Sequence, residues 1–371
     1  MRIAFYAPFK PLDHPHPSGD QIIGRSLFAW LQEQGHQVRE ISRLRTRWIF
    51  RHPLEMAASI LEQRRVLAEL KEHPVDCWFT HHSYYKAPDL LGPFIRTNLQ
   101  LPYVLFQPSY ATKYGKKPVT APGFHLNRRA LLTGDCCLTN RRQDLKDLER
   151  IIAPGKIFFI PPAISLQRFS RDEQARARLR GEWQVGDRPV ILSAAMFRDD
   201  VKSLGLARVL ESCRRLQARG EQFVLVIAGD GCKRAWLEQL ARRLPADMVR
   251  FVGQLPPEQM RDFYSAGDFF AFPGINESLG MVYLEAQACG LPVVAYDNGG
   301  IAGVVEQGRT GFLTRFDDDA AFDAAIQRLL QDEPLRQQMG RVAAASVQKN
   351  HDLQKNYQQI DRIIKDLVGV K

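Results

Sequence analysis

The sequence predicts an α/β protein built from two doubly wound, Rossmann-like domains. Short apolar runs rich in β-branched residues alternate with helix-period segments through both halves of the chain. A length of 371 residues is enough for two separate cores. The Pro161-Pro162 pair, followed by a charged stretch, puts the join near 162–188. The expected domains are residues 1–165 and 166–349, with a helix over about 350–371 packing back on the first. In open parallel sheets ligands sit at the carboxyl ends of the strands, so the two domains are expected to face a central cleft.

In the first half, Arg2 to Ala7 reads as a strand. Gln21 to Gln34 reads as a helix, with Ile22, Ile23, Leu27, Phe28 and Leu31 at helical spacing and Gly35 ending it. Val38 to Ile41 is the next strand and Pro53 to Leu70 the next helix. Strands follow at Asp76 to Thr80, Tyr103 to Phe106, Cys136 to Thr139 and Ile157 to Ile160, with a helix from near Gly123. The second half repeats the scheme. Strands are expected at Val190 to Ser193, Phe223 to Ala228, Val249 to Val252, Asp268 to Pro273, Pro292 to Tyr296 and Gly311 to Thr314. Helices are expected at Ser203 to Ala218, Lys233 to Leu244, Pro257 to Ala266, Leu279 to Cys289 and Ile301 to Glu306, and helices close the chain.

Composition narrows the class. Hydrophobic content of 45% and charged content of 25% are ordinary for a soluble domain, and no stretch is long and apolar enough to cross a bilayer. The first residues read as a strand start rather than a signal peptide, which makes the cytoplasm the expected location. None of the six cysteines has C-x-x-C spacing, so they read as buried thiols rather than as a zinc site. The net charge of +10 favours an acidic partner such as an anionic membrane surface or a phosphorylated ligand. No nucleic-acid-binding module accompanies it. Arg43, Arg45, Arg47 and Arg51 surround Trp48, Ile49 and Phe50, which suits an interfacial patch and equally a solvated basic face.

The chemistry concentrates in one segment. Glu277 and Glu285 stand eight residues apart, the first in a loop at a helix mouth and the second about two turns inside the helix. Ser278 is expected to cap that helix, Gly290 to end it and Pro292 to prevent its continuation. A helix N-terminus flanked by two hydroxyl-binding acids suits a nucleotide sugar. Glu285 lies among Leu284, Ala286, Ala288 and Cys289, a poor setting for a merely solvated acid. Arg198 and Lys202 follow the first strand of the second half, where they could neutralise a diphosphate or simply balance Asp199 and Asp200. His81 and His82 follow a strand, which fits acid–base work, acceptor binding or a structural hydrogen bond. Ser18-Gly19-Asp20 offers a close backbone approach for a phosphate, or an ordinary turn. The chain lacks a G-x-G-x-x-G after its first strand, a G-x-x-x-x-G-K-[ST], an H-E-x-x-H and a G-x-S-x-G, which argues against dehydrogenase, P-loop, zincin and α/β-hydrolase chemistry.

Together these residues resemble the family 4 retaining glycosyltransferases of GT-B fold. The stretches that carry the resemblance are FVLVIAGDG at 223–231, FVGQ at 251–254, YSAGD at 264–268, ESLG at 277–280, EAQACGLPVV at 285–294, GG at 299–300 and GRTGFL at 308–313. In the first half, the Gly19 loop and QGHQV at 34–38 look like the family's opening. The resemblance implies that Glu277 contacts the donor sugar and that the amides of Ser278, Leu279 and Gly280 meet the sugar and diphosphate. It implies that Glu285 holds the ribose, that Arg198 and Lys202 stabilise the leaving diphosphate, and that Val252 and Gln254 lie at the base. His81 or His82 would face the acceptor. The implied reaction is sugar transfer, with retention, from a nucleotide diphosphate sugar to an acceptor hydroxyl, without a metal or other cofactor. The acceptor would be a lipid-linked saccharide or a cell-surface polysaccharide, met at the inner face of the plasma membrane. A nucleotide-sugar 2-epimerase of the same fold and a noncatalytic GT-B subunit are the alternatives. The sequence departs from the family in three places. Ser203 stands where a glycine is usual after the lysine, Arg198 is four rather than five residues before Lys202, and Phe106-Gln107-Pro108 lacks the usual His-Asp pair.

Overall fold

The computed structural model describes residues 1–15 and 19–369. Ser18 of the glycine loop lies outside the described residues. The chain divides into two compact units, Met1–Pro161 with Lys355–Lys371, and Pro162–Gln354.

The first unit is a six-stranded parallel sheet. It contains β1 (Arg2–Tyr6), α1 (Gly19–Glu33), β2 (Gln37–Ser42), α2 (Pro53–Glu72), β3 (Cys77–His81), α3 (Gly92–Leu99), β4 (Tyr103–Phe106), α4 (Ala121–Thr133), β5 (Cys136–Thr139), α5 (Arg142–Leu148) and β6 (Ile157–Phe159). The strand order is β2-β1-β3-β4-β5-β6, so the chain reverses its direction of winding between β1 and β3. Both β3 and β4 are buried along their whole length, which is why they read as continuous apolar runs.

The second unit contains α6 (Glu173–Glu182), β7 (Val190–Ala194), α7 (Val201–Ala218), β8 (Val224–Ala228), α8 (Arg234–Ala241), β9 (Val249–Gly253), α9 (Met260–Ala266), β10 (Phe269–Ala271), α10 (Met281–Ala288), β11 (Val293–Tyr296), β12 (Gly311–Thr314), α11 (Asp319–Gln331) and α12 (Glu333–Asn350). Its sheet is also six-stranded and parallel, in the order β12-β11-β10-β7-β8-β9, with the reversal between β7 and β10. Phe223 to Ile227 have no exposure at all, and the core of this unit closes around them.

The last helix, α13 (Leu353–Val368), belongs to the first unit from Lys355 onward. Tyr357 meets Trp30 edge-on at 5.8 Å, and His36 Nε2 lies 2.7 Å from Asp361 Oδ1. Asn356 Nδ2 donates to the Pro161 carbonyl at 2.8 Å. Among the described residues no helix is long and apolar enough to cross a membrane.

Four expectations need correction. Ser278 does not cap α10. Gly280 is the N-cap residue, in the left-handed region at φ 73°, and no side chain bonds to the helix end. Two short helices, α3 and α5, went unread because eight and seven residues give too little periodicity. The charged stretch read as a join carries α6, capped by Asp172, which accepts from the amides of Gln174 and Ala175. Five cysteines are buried as expected, but Cys232 is exposed.

Candidate functional site

The second unit holds a cavity of about 420 Å³ at the carboxyl ends of β7, β8 and β9. Ala194 to Met196 and Arg198 line it after β7, Ala228 to Asp230 after β8, and Gln254 and Leu255 after β9. Helices α9 and α10 close it with Met260, Tyr264, Val282 and Glu285. The end of β7 and helix α10, which follows β10, bring the cavity up to the reversal, where the βα turns of a doubly wound sheet open away from each other.

Burial pushes the Glu285 carboxyl up to about 7, although a hydrogen bond from the Tyr264 hydroxyl at 3.0 Å and the Arg168 charge both favour its ionised form. Arg198 is exposed at the cavity edge, and its guanidinium touches Met196 Sδ at 3.1 Å. Val252 is half-buried against the core and does not line the cavity, unlike Gln254.

Beside β10 lies the second constellation. Lys202 Nζ, in the first turn of α7, pairs with Glu277 Oε2 at 2.5 Å. The acids that might have balanced the two cations are used elsewhere. Asp199 pairs with Lys233 at 2.9 Å, and Asp200 caps α7 by accepting from the Lys202 amide. Ser203, read from the sequence as standing in place of a glycine, is buried and donates to the Arg198 carbonyl at 2.5 Å, fixing the turn that carries both cations. Glu277 sits in a loop held from below. Its carbonyl accepts from the Gly300 amide at 3.0 Å, and its amide donates to the Gly274 carbonyl at 3.1 Å. Ser278 is exposed, Leu279 half-buried and Gly280 buried. The loop therefore offers a paired carboxylate and ammonium at the mouth of α10, and the α9–α10 face offers a second carboxylate.

In the first unit the two histidines part company. His81 is 3% exposed, and its Nε2 donates to the Asp20 carbonyl at 2.9 Å. Burial and the neighbouring His82 hold its pKa down to about 4, so it is neutral and serves the packing of β3 against the first turn of α1. Of the roles the sequence left open for His81, this geometry is that of the structural hydrogen bond. His82 has φ 61° and lies between Phe9 and Tyr84. Its Nδ1 stands 3.4 Å from Asp20 Oδ1, near enough for an ion pair but poorly aligned for a hydrogen bond. Gly19 opens α1, with nothing within 4 Å of where a side chain would start. Gln107 follows β4 one residue beyond the His81–Phe106 pair of the ladder, at φ 56°, and both polar atoms of its buried amide lack a partner. Among the described residues no group of three or more His, Cys, Asp or Glu is placed to hold a metal ion.

Similarity to known proteins follows the same regions. A family model described as glycosyl transferases group 1 matches residues 176–345. The D-inositol 3-phosphate glycosyltransferase of Corynebacterium jeikeium (strain K411) is 30% identical over 285 residues, covering 72% of this chain and 68% of that protein. The chain belongs to the glycosyl transferases group 1 family. This group 1 chain is also 34% identical over 207 residues to the GDP-mannose-dependent alpha-(1-6)-phosphatidylinositol monomannoside mannosyltransferase of Mycolicibacterium smegmatis (strain ATCC 700084 / mc(2)155), a match covering 54% of the chain and 52% of that protein. It spans about half the length of several such curated relatives. Among solved structures, sucrose-phosphate synthase from Thermosynechococcus elongatus superposes with a TM-score of 0.75 at 21% identity, covering 100% of both chains. Anabaena HepE in complex with UDP does so with a TM-score of 0.76 at 17% identity, covering 99% of this chain and 100% of that one. These two likenesses establish the GT-B type of fold for the group 1 chain.

Proposed function

We propose that this protein transfers a sugar, with retention at the anomeric carbon, from a nucleoside diphosphate sugar to an acceptor hydroxyl. The observation that carries the reading is the Lys202–Glu277 pair at the mouth of α10, next to a cavity of nucleotide size with Glu285 in its wall. Glu277 would hold the sugar hydroxyls and Glu285 the ribose. Arg198, Lys202 and the α10 N-terminus would receive the negative charge that develops on the diphosphate. The bond from the anomeric carbon to the β-phosphate oxygen breaks, the acceptor oxygen bonds to the same face, and the acceptor proton passes to the departing phosphate. The cations supply the charge compensation that a divalent ion supplies elsewhere, so we assign no metal to the reaction.

The test is a thermal-shift screen of nucleoside diphosphate sugars, followed by transfer assays in the presence of a chelator. A raised melting temperature with one donor, and transfer that survives chelation, is expected. Conversion of the donor to an epimer without any acceptor would instead assign a 2-epimerase. Binding without either reaction would assign a noncatalytic subunit.

For the acceptor side we propose a lipid-linked saccharide or cell-surface glycan, met at an anionic membrane surface at the inner face of the plasma membrane. The supporting observation is not the one the sequence suggested. In the 43–51 segment Ile49 is fully buried, and Trp48 is packed on Tyr85 and covered by the Arg51 guanidinium at 4.2 Å. Helix α2 carries exposed apolar residues instead, with Leu54 87%, Leu61 66% and Ile60 51% exposed. Arg47, Arg51 and Arg64 are exposed nearby in the chain. Apolar side chains among arginines suit an interfacial helix. In flotation with anionic vesicles, Leu54→Ser/Leu61→Ser is expected to reduce the bound fraction severalfold, and high salt to reduce it for both proteins. Equal flotation of the variant and the parent protein would remove the proposal.

A further inference from the structure

The geometry points to Tyr264 as a positioning residue that aims and charges the Glu285 carboxylate for a ribose diol. The inference rests on the reading of the cavity as the nucleotide site. Tyr264 belongs to the YSAGD stretch, to which the proposed reaction gives no task. It is fully buried in α9, and its ring is fixed edge-on against Phe263 and Phe270, with centroids at 5.5 and 5.9 Å. The hydroxyl therefore has one place to go. It donates to Glu285 Oε2 at 3.0 Å, across from one helix to the next, and both side chains line the same cavity.

Two consequences follow. An ionised carboxylate is an acceptor only, with about four lone-pair sites on its two oxygens. The phenol occupies one of them and fixes the plane of the group, leaving acceptor sites for two hydroxyl donors. A vicinal diol has two such donors. The second consequence concerns charge. A diol is best held by the ionised acid, and burial works against ionisation here. The groups that bear on Glu285 are few. Tyr264 from α9 and Arg168 from the segment before α6 favour the charged form. The buried Cys289 thiol, at the C-cap of the helix that carries Glu285, is pushed up to about 12 and stays neutral. Arg198 and Asp230 line the cavity further out. Removal of the phenol hydroxyl deletes one of the two favourable influences.

The sign is fixed by that balance. Glu285 is ionised above about 7, so nucleotide affinity falls as pH drops through that value. Without the hydroxyl the carboxyl is harder to ionise, and the same fall occurs at a higher pH. Tyr264→Phe keeps the ring and its packing. Dissociation constants of UDP, GDP and ADP are measured by calorimetry from about pH 6 to about pH 9 for the full chain, Tyr264→Phe and Glu285→Gln. For the nucleotide bound most tightly, Tyr264→Phe is expected to bind about fivefold more weakly near pH 7 and within about twofold of the parent near pH 9, as a lost hydrogen bond to a charged group and a displaced titration require. Glu285→Gln is expected to bind weakly at every pH and to lose the preference for a ribonucleotide over its 2′-deoxy form. If Tyr264→Phe binds like the parent protein at every pH, the positioning role is overturned while the nucleotide site stands, and an equal weakening at all pH values overturns the part of the hydroxyl in charging the carboxylate. If Glu285→Gln binds like the parent protein, or none of the three nucleotides binds, the nucleotide site itself is overturned.

Discussion

Lys202→Ala is expected to lower the transfer rate by roughly 10²–10³-fold, the loss typical of removing one fixed donor from developing charge. The reason lies in where the ammonium is held. It sits 2.5 Å from Glu277 Oε2, with its side chain 34% exposed and that of Glu277 15% exposed. The lysine is thus kept extended toward the Glu277 loop, and on the proposed reading no rotamer search is needed when a diphosphate arrives. Loss of the pair costs little stability, about 1 kcal/mol or less, because the lysine end is a third exposed. Glu277→Ala is expected to reduce turnover by about 10²-fold through a different measurable. The nucleoside diphosphate alone should bind the Glu277 variant within about twofold of the parent, since the carboxylate is assigned to the sugar, while Lys202→Ala should weaken it about tenfold. The check is kcat and KM for the donor beside the dissociation constant of the bare nucleotide. Near-normal turnover in both variants would remove the two residues from the reaction.

Much of this site was legible in the sequence because its parts are local. The strand into Phe272, the loop with Glu277 and the helix with Glu285 are contiguous, and Gly290, at φ 78°, ends that helix as its composition suggested. Strand runs such as Val224 to Ala228 announced themselves because both faces are buried and every residue is apolar. What the sequence hid was long-range. The Tyr264–Glu285 bond joins residues on separate helices, and the ion pair of Lys202 with Glu277 spans 75 positions. The roles of Ser203 and Asp199 were hidden for the same reason, since a serine and an acid in a turn have many potential partners. The two histidines looked equivalent as neighbours on a strand end. They differ because β3 ends at His81 and the backbone turns into the left-handed region at His82, φ 61°, which sends one side chain into the packing of α1 and the other toward Phe9 and Tyr84. The exposed apolar residues of α2 were overlooked because they occur at a spacing that reads as core.

Gly299→Ala is expected to cost about 10²-fold in turnover without unfolding the protein, although Gly299 is assigned no contact with substrate. A Cβ at this position would lie 2.0 Å from the Glu277 carbonyl oxygen, and one at Gly300 would lie 1.9 Å from the Ser278 carbonyl oxygen. Neither clash can be relieved by turning a side chain, because the atoms struck are backbone. Gly299 also stands at φ +62°, where an alanine is strained by about 1 kcal/mol even in open space. The Gly299-Gly300 pair is therefore the floor on which the Glu277 loop rests, and the Gly300 amide bonds to the same Glu277 carbonyl. A side chain on that floor lifts Glu277 away from Lys202. The cavity with Glu285 and Arg198 belongs to other strand ends, so affinity for the bare nucleoside diphosphate should stay within about twofold of the parent while kcat falls. Gly303→Ala is the matched control. It is three to four residues away, has nothing within 4 Å of its added carbon, and should keep near-parental rates. Equal turnover of Gly299→Ala and Gly303→Ala would mean that the loop yields to the added carbon and that its height above the glycine pair does not set the geometry of Glu277. A selective loss in Gly299→Ala would tie the rate to the backbone beneath the carboxylate, where a contact-based choice of catalytic residues would not look.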